Sequence, residues 1–175
     1  MVVTSSDRQG RPKQLKPTNT QWITVIQGAY ADGTTIPPFI IFKGKQLSQS
    51  WFQPGLPHDW RFQVSENGWS LDDIGLEWIH HFHKHTYKKK IGSRRLLILD
   101  NYGSHTTVQF RQFCKDNQII LLWMPPHSSH LCQPLDVGCF GPLKKAYSRQ
   151  NELLIKHHIS YVTKEDFLLH FNTAF

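Results

Sequence analysis

Two aspartates stand where phosphate chemistry would need them. Asp100 closes a strongly apolar run, Arg95-Leu96-Leu97-Ile98-Leu99-Asp100. Asp136 follows a polar loop in Gln133-Pro134-Leu135-Asp136-Val137-Gly138. A carboxylate at the carboxyl end of a buried strand lies where open α/β sheets expose their ligands. Two of them, 36 positions apart, point to a shared metal site. In a two-metal site, ions about 3.5–4 Å apart clamp the attacking and leaving oxygens of a phosphodiester. Mg²⁺ takes carboxylate and water oxygens at about 2.0–2.1 Å, and aspartate is short and stiff enough to hold it. Such sites usually need a third acid. Asp7 lies in a polar segment, Asp32 fits a turn, and Asp72 and Asp73 fit a helix cap. The plainer alternatives are that Asp100 caps the turn at Asn101-Tyr102-Gly103 and that Asp136 caps the next helix.

The loop between the two acids, from Pro125 to Asp136, is rigid and polar, and it carries His127, His130 and Cys132. With Cys114 or Cys139 these invite a zinc reading. Structural zinc wants four N or S ligands, usually with paired Cys-x₂₋₄-Cys spacing, and this chain has no such pair. His105 and His130 fit better as hydrogen-bond donors near a phosphate, or as loop-ordering groups. A Cys/His nucleophile is weaker still, because Cys114 falls on the apolar stripe of a helix.

Charge supports a polyanionic partner. The 175 residues carry a formal charge of +7, with 20 Lys and Arg against 13 Asp and Glu. One basic group runs from the His-rich stretch 80–85 through Lys88, Lys89 and Lys90 to Arg94 and Arg95; a second comprises Lys144, Lys145 and Arg149. A solvated basic face is the ordinary reading of either cluster, but two clusters flanking the two acids favour nucleic acid. No apolar run approaches the roughly 20 residues of a membrane span. Three cysteines, an odd number, fit a reducing compartment better than a disulfide framework.

The elements that must position these residues follow from the pattern. Residues 1–20 read as an irregular lead-in. Trp22–Tyr30 and Ile36–Lys43 read as strands about an Asp32-Gly33 turn, with Pro37 and Pro38 outside the pairing. Residues 44–69 read as a long connection. Trp51, Trp60, Trp69 and Trp78 recur every nine positions, but nothing else repeats with them. Ser70 to Asp73 reads as a helix cap, with helical spacing continuing to about His85. Leu96–Asp100 and Ile119–Met124 read as strands. Thr106 is the predicted cap of a helix burying Phe110, Phe113 and Cys114. Pro142 opens a helix with Leu143, Ala146, Tyr147 and Leu154, and Thr163–Asp166 caps a last helix with Phe167, Leu168, Phe171 and Phe175. Both ends of the chain read as cut rather than finished.

The segments LLILDNYGSH and MPPHSSHLCQPLDVGCFGPLKKAY resemble the catalytic core of DDE superfamily endonucleases, in the pogo, Tigger and jerky group of transposases. WITVIQGAYADGTTIPPFIIFKGK and GLEWIHHF are similar to the same family's upstream half, so the resemblance runs from about Val2 to Phe175. It implies an α/β fold of ribonuclease H-like type, a mixed five-stranded sheet flanked by helices, here lacking its first strand. Residues 1–175 would then be a partial catalytic domain. It also implies that Asp100 and Asp136 are the second and third acids of a triad binding Mg²⁺ or Mn²⁺. The family's first acid lies ahead of the region matching Met1. The implied partner is DNA, with self-association open, and the implied location is the nucleus. Weak or absent nuclease activity is expected of this chain alone. The alternative is a transposase-derived module that binds DNA or protein without chemistry, in the manner in which centromere protein B resembles the family.

Overall fold

The structure is a computed structural model that describes residues 22–68, 72–99, 107–125, 133–156 and 161–175. Strands β1 (Ile23–Ile26) and β2 (Phe39–Lys43) form the antiparallel pair read from the sequence. The turn between them is held locally: Asp32 Oδ1 accepts from the Thr34 amide at 2.8 Å, and Gly33 takes φ +86°. Pro37 and Pro38 lie ahead of β2 and donate nothing to the ladder, although the Pro38 carbonyl accepts from the Arg61 amide at 3.0 Å.

The connection expected over residues 44–69 contains a strand. Arg61–Ser65 is β3, running parallel to β2 with Phe39 opposite Arg61 and Lys43 opposite Ser65. Its five residues, RFQVS, carry only two apolar side chains, and the clustered prolines and glycines before it masked the signal. Gly68 closes the segment at φ +76°, where a Cβ would come within 2.9 Å of the Trp22 ring.

Helix α1 (Asp72–Thr86) follows with acids in its first turn and buries Ile74, Trp78, Ile79 and Phe82. Ser70, its expected cap, lies outside the described residues. Strands β4 (Arg95–Leu99) and β5 (Ile119–Trp123) are parallel and joined by α2 (Val108–Asp116). The residue that caps α2 is Thr107 rather than Thr106: its hydroxyl accepts from the Phe110 amide at 3.3 Å. Neighbouring threonines offer the same hydroxyl, and backbone entry angle decides between them. Phe110 and Cys114 are buried as expected, while Phe113 is half-buried. A π-helical turn (Leu135–Cys139) leads into α3 (Phe140–Lys156), and α4 (Lys164–Ala174) ends the chain. The cap on α4 is reciprocal. Thr163 Oγ1 accepts from the Asp166 amide at 3.1 Å, and Asp166 Oδ2 accepts from the Thr163 amide at 3.0 Å.

The fold is therefore α/β with mixed strand pairing, as the sequence implied. Among the described residues its five strands pair as two sheets, β1-β2-β3 and β4-β5, rather than as one. Two apolar cores hold them. Phe39 and Ile41 of β2 meet α1, α2 and β4 in one core; Ile40 and Phe42 meet Trp60 and the α4 residues Leu168 and Phe171 in the other. The four apolar side chains of β2 are fully buried, each contributing about 1.5–3 kcal/mol. A cavity of about 840 Å³ is bordered by β1 and β4.

Candidate active site at the carboxyl end of β4

Arg95 to Leu99 alternate between buried and exposed, so β4 covers one face on the α1–α2 core. The Leu99 carbonyl accepts from the Met124 amide at 2.9 Å, carrying the β4–β5 ladder one residue past β5. Leu99 is the last described residue of this strand end. Asp100 and His105 lie outside the described residues, as do His127, His130 and Cys132.

Asp136 sits inside the π-helical turn, not at a helix N-cap. Its amide and that of Val137 both point back to the Gln133 carbonyl, at 3.0 and 3.1 Å. A π turn widens the helix by one residue per turn, and such turns concentrate at functional sites. The widening leaves the Asp136 side chain exposed, and it forms no ion pair among the described residues. Pro134, Leu135 and Phe140 border the same cavity as Leu99 and Met124, so this turn and the end of β4 face one common space. Phe140 and Lys144 follow Asp136 at successive four-residue steps on one helical face, and the Lys144 ammonium lies 5.8 Å from the Phe140 ring centre. Lys144 and Lys145 are both exposed.

This arrangement offers a hard oxygen ligand with cations on the following two turns. An exposed carboxylate without a competing partner fits a divalent ion, and Asp100 is the second ligand the sequence assigns to it. Among the described residues no group of three or more His, Cys, Asp or Glu side chains comes together to hold a metal.

The other basic group lies elsewhere. Lys88, Lys89, Lys90 and Arg94 are exposed and precede β4, so they gather at its amino end, roughly 13 Å of strand from Leu99. Lys89 lies 4.4 Å from the Tyr30 ring centre and Lys90 5.2 Å from that of Tyr87. Arg95 turns inward and is only 9% exposed. Its guanidinium donates to Thr86 Oγ1 at 2.8 Å and to the Asn117 carbonyl at 3.0 Å, and it lies 2.9 Å from His83 Nδ1. It ties α1 to the end of α2.

The His-rich stretch is also structural. His81 is buried, with Nε2 2.8 Å from the Pro37 carbonyl. Burial holds its pKa below the usual 6.5, more than offsetting that hydrogen bond; His85 and Lys84 add to the depression. Burial likewise lowers His83 and His85. These rings are therefore poor cations near neutral pH. Burial pushes the Cys114 thiol up to about 12, leaving it no nucleophilic character at neutral pH. The inward role of Arg95 had one readable signal, its place as first residue of an apolar strand. The π turn at Asp136 had none.

Comparison with known proteins bears on the same segments. Residues 20–171 match the model of the DDE superfamily endonuclease family. The whole chain is 51% identical over 175 residues to a Cochliobolus lunatus protein named "MFS-type transporter clz9", covering 19% of that protein. It is 27% identical over 137 residues to the Homo sapiens "Pogo transposable element with ZNF domain", covering 78% of this chain and 9% of that protein. The Mus musculus "Pogo transposable element with KRAB domain" is 24% identical over 132 residues, covering 73% of this chain and 20% of that protein. The chain spans a fifth or less of the length of each of these relatives. No described helix is long and apolar enough to cross a membrane. Match, strand-end geometry and motif order agree, and the chain belongs to the DDE superfamily endonucleases, as a pogo-like domain.

Proposed function

We propose that this domain acts on DNA phosphodiesters in the manner of a transposase, with Asp100 and Asp136 holding Mg²⁺ or Mn²⁺. The observation that carries this reading is Asp136: an exposed carboxylate on a π-helical turn that borders the same cavity as the end of β4, with Lys144 two turns further on. When bound, the ions would supply charge neutralisation and an activated oxygen nucleophile. The residues of the chain itself hold and orient. Asp136 fixes an ion at the mouth, and Lys144 and Lys145 take phosphate oxygens along the same helix. His105 and His130 are assigned to donate to the phosphate from the two adjoining loops. DNA as substrate places the protein's work in the nucleus.

A second reading, DNA binding without chemistry, is favoured by one feature. Among the described residues the single ion pair is Arg61–Glu77, which leaves the Lys and Arg of both basic groups without carboxylate partners. The two readings separate on metal. Calorimetric titration with Mn²⁺ should give a binding isotherm that Asp136→Asn abolishes, while DNA affinity without metal changes less than twofold. No isotherm, together with intact salt-dependent DNA binding, would leave the second reading standing. Absence of DNA binding at low salt would sink both.

A further inference from the structure

Two histidines of α1 form a pair that the proposed chemistry does not use. His81 and His85 stand four residues apart, so they share one face of the helix, and their ring centres lie 4.5 Å apart. Two histidines at this spacing on one helix are a known arrangement for holding zinc. Zinc takes imidazole nitrogen at about 2.0–2.1 Å, so two rings on one tetrahedral ion have centres roughly 5 Å apart. The observed spacing is close to that.

The ring nitrogens are prepared for the same purpose. His81 Nε2 lies 2.8 Å from the Pro37 carbonyl, which only accepts, so Nε2 carries the proton and Nδ1 keeps its lone pair. A backbone carbonyl on the far nitrogen is the usual way a metal-binding histidine is oriented. On His85, Nε2 is buried and has no hydrogen-bond partner among the described residues. A bound ion is one accepted account of such an unmatched buried atom. Burial is the main cause holding both rings below the usual pKa of 6.5, so both are neutral at pH 7, the form that binds metal. The Asp59 carboxylate acts on His85 from the segment ahead of β3. Lys84 and Arg61 act on His81 in the opposite sense, but Glu77 pairs with Arg61 at 3.0 Å. His85 is partly exposed, which gives an ion entry from the surface and water for its remaining positions.

We propose that His81 Nδ1 and His85 Nε2 bind one Zn²⁺, or a divalent ion of the same borderline class, with water completing its shell and Asp59 as the outer counter-charge. Occupancy clamps the end of α1, where the Tyr30 hydroxyl holds the His85 carbonyl and Arg95 holds Thr86. Imidazole nitrogen suits this class of metal, whereas carboxylate and water oxygens suit Mg²⁺ and Mn²⁺. The pair therefore stands apart from the oxygen ligand Asp136, and it needs neither DNA nor the proposed chemistry.

The test titrates the full chain with Zn²⁺ at pH 7, with excess Mg²⁺ present to occupy oxygen ligands. Long-range ¹H–¹⁵N correlation spectra then read each ring nitrogen separately, and the other histidines serve as internal controls. Before zinc, the His81 proton should reside on Nε2. One equivalent of zinc should shift His81 Nδ1 and His85 Nε2 together and leave His80 and His170 in place. By calorimetry, His85→Gln should weaken zinc binding at least tenfold, and His80→Gln, at an exposed ring, less than twofold. Asp59→Asn should weaken it about threefold. Zinc shifts confined to other histidines, a His81 proton on Nδ1, or unchanged zinc affinity in a folded His85→Gln variant would overturn the proposal. The spectra of the unaltered chain decide it even where a variant fails to fold. Unchanged affinity in Asp59→Asn would overturn the part given to the counter-charge.

Discussion

At the residue scale, Arg95 and His81 separate charge from function. Arg95 belongs to a basic run in the sequence, yet it is spent on Thr86, His83 and Asn117. Arg95→Met keeps the stem but leaves those buried groups unmatched. Urea unfolding should show a loss of about 2–3 kcal/mol, whereas Lys88→Met and Arg94→Met, on exposed side chains, should stay within about 0.5 kcal/mol. His81 gives a pH dependence of definite sign. Its folded pKa is depressed below 6.5 by burial, against the Pro37 carbonyl and beside Phe39, His85, Lys84 and Arg61. The unfolded chain therefore takes up a proton first. Stability is complete above pH 6.5 and falls as pH drops through 6.5 toward the folded value. His83, His85 and His170 are depressed too and add to the same slope. His81→Gln should flatten the stability profile between pH 7 and 5, and an unchanged profile would remove His81 from this account. The sequence displayed all these residue types. It did not display which way each side chain turns, because that depends on contacts between α1, β4 and the prolines before β2.

At the element scale, the elements with local signals were legible and the one built from pairing was not. The α4 start could be read because Thr163 and Asp166 satisfy each other's amides with no help from elsewhere. Thr163→Ala should cost about 1 kcal/mol, measured as a shift in the urea midpoint without a change in slope. Strand β3 stayed hidden because RFQVS is a strand only beside β2. Glu77 of α1 then pins it from above, accepting from Gln63 at 2.7 Å and Arg61 at 3.0 Å. The same distinction applies to the candidate site. Asp136 was readable as a carboxylate after a rigid loop, but the π turn that frees it is a property of how that loop meets α3. The connection from α2 to β5 supplies a further test. Gln118 takes φ +57°, a left-handed conformation that side chains rarely adopt, while its carbonyl accepts from the Arg95 amide at 3.0 Å. Gln118→Gly should raise stability by about 0.5–1 kcal/mol, seen as a higher melting temperature; a fall would mean the backbone there is not strained.

At the scale of the whole molecule, excess positive charge and two cores set behaviour that no single element determines. The +7 balance was legible as a polyanion preference, and it makes any DNA affinity strongly salt-dependent. The partition into two cores was less legible, because it runs through one strand whose sequence, FIIF, is apolar on both sides. Phe39 and Ile41 face one core, Ile40 and Phe42 the other. Most sheets forbid slippage by polarity, since a one-residue shift would turn charges inward. Within the four apolar residues a shift would trade aromatic for branched aliphatic on each side. Shape forbids it there, while at the ends Lys43, which a shift one way would carry into the buried Phe42 position, and the prolines ahead of the strand forbid it too. Exchanging the two shapes without moving the backbone, as Phe39→Ile with Ile40→Phe, should therefore cost about 1–3 kcal/mol even though composition and polarity are unchanged.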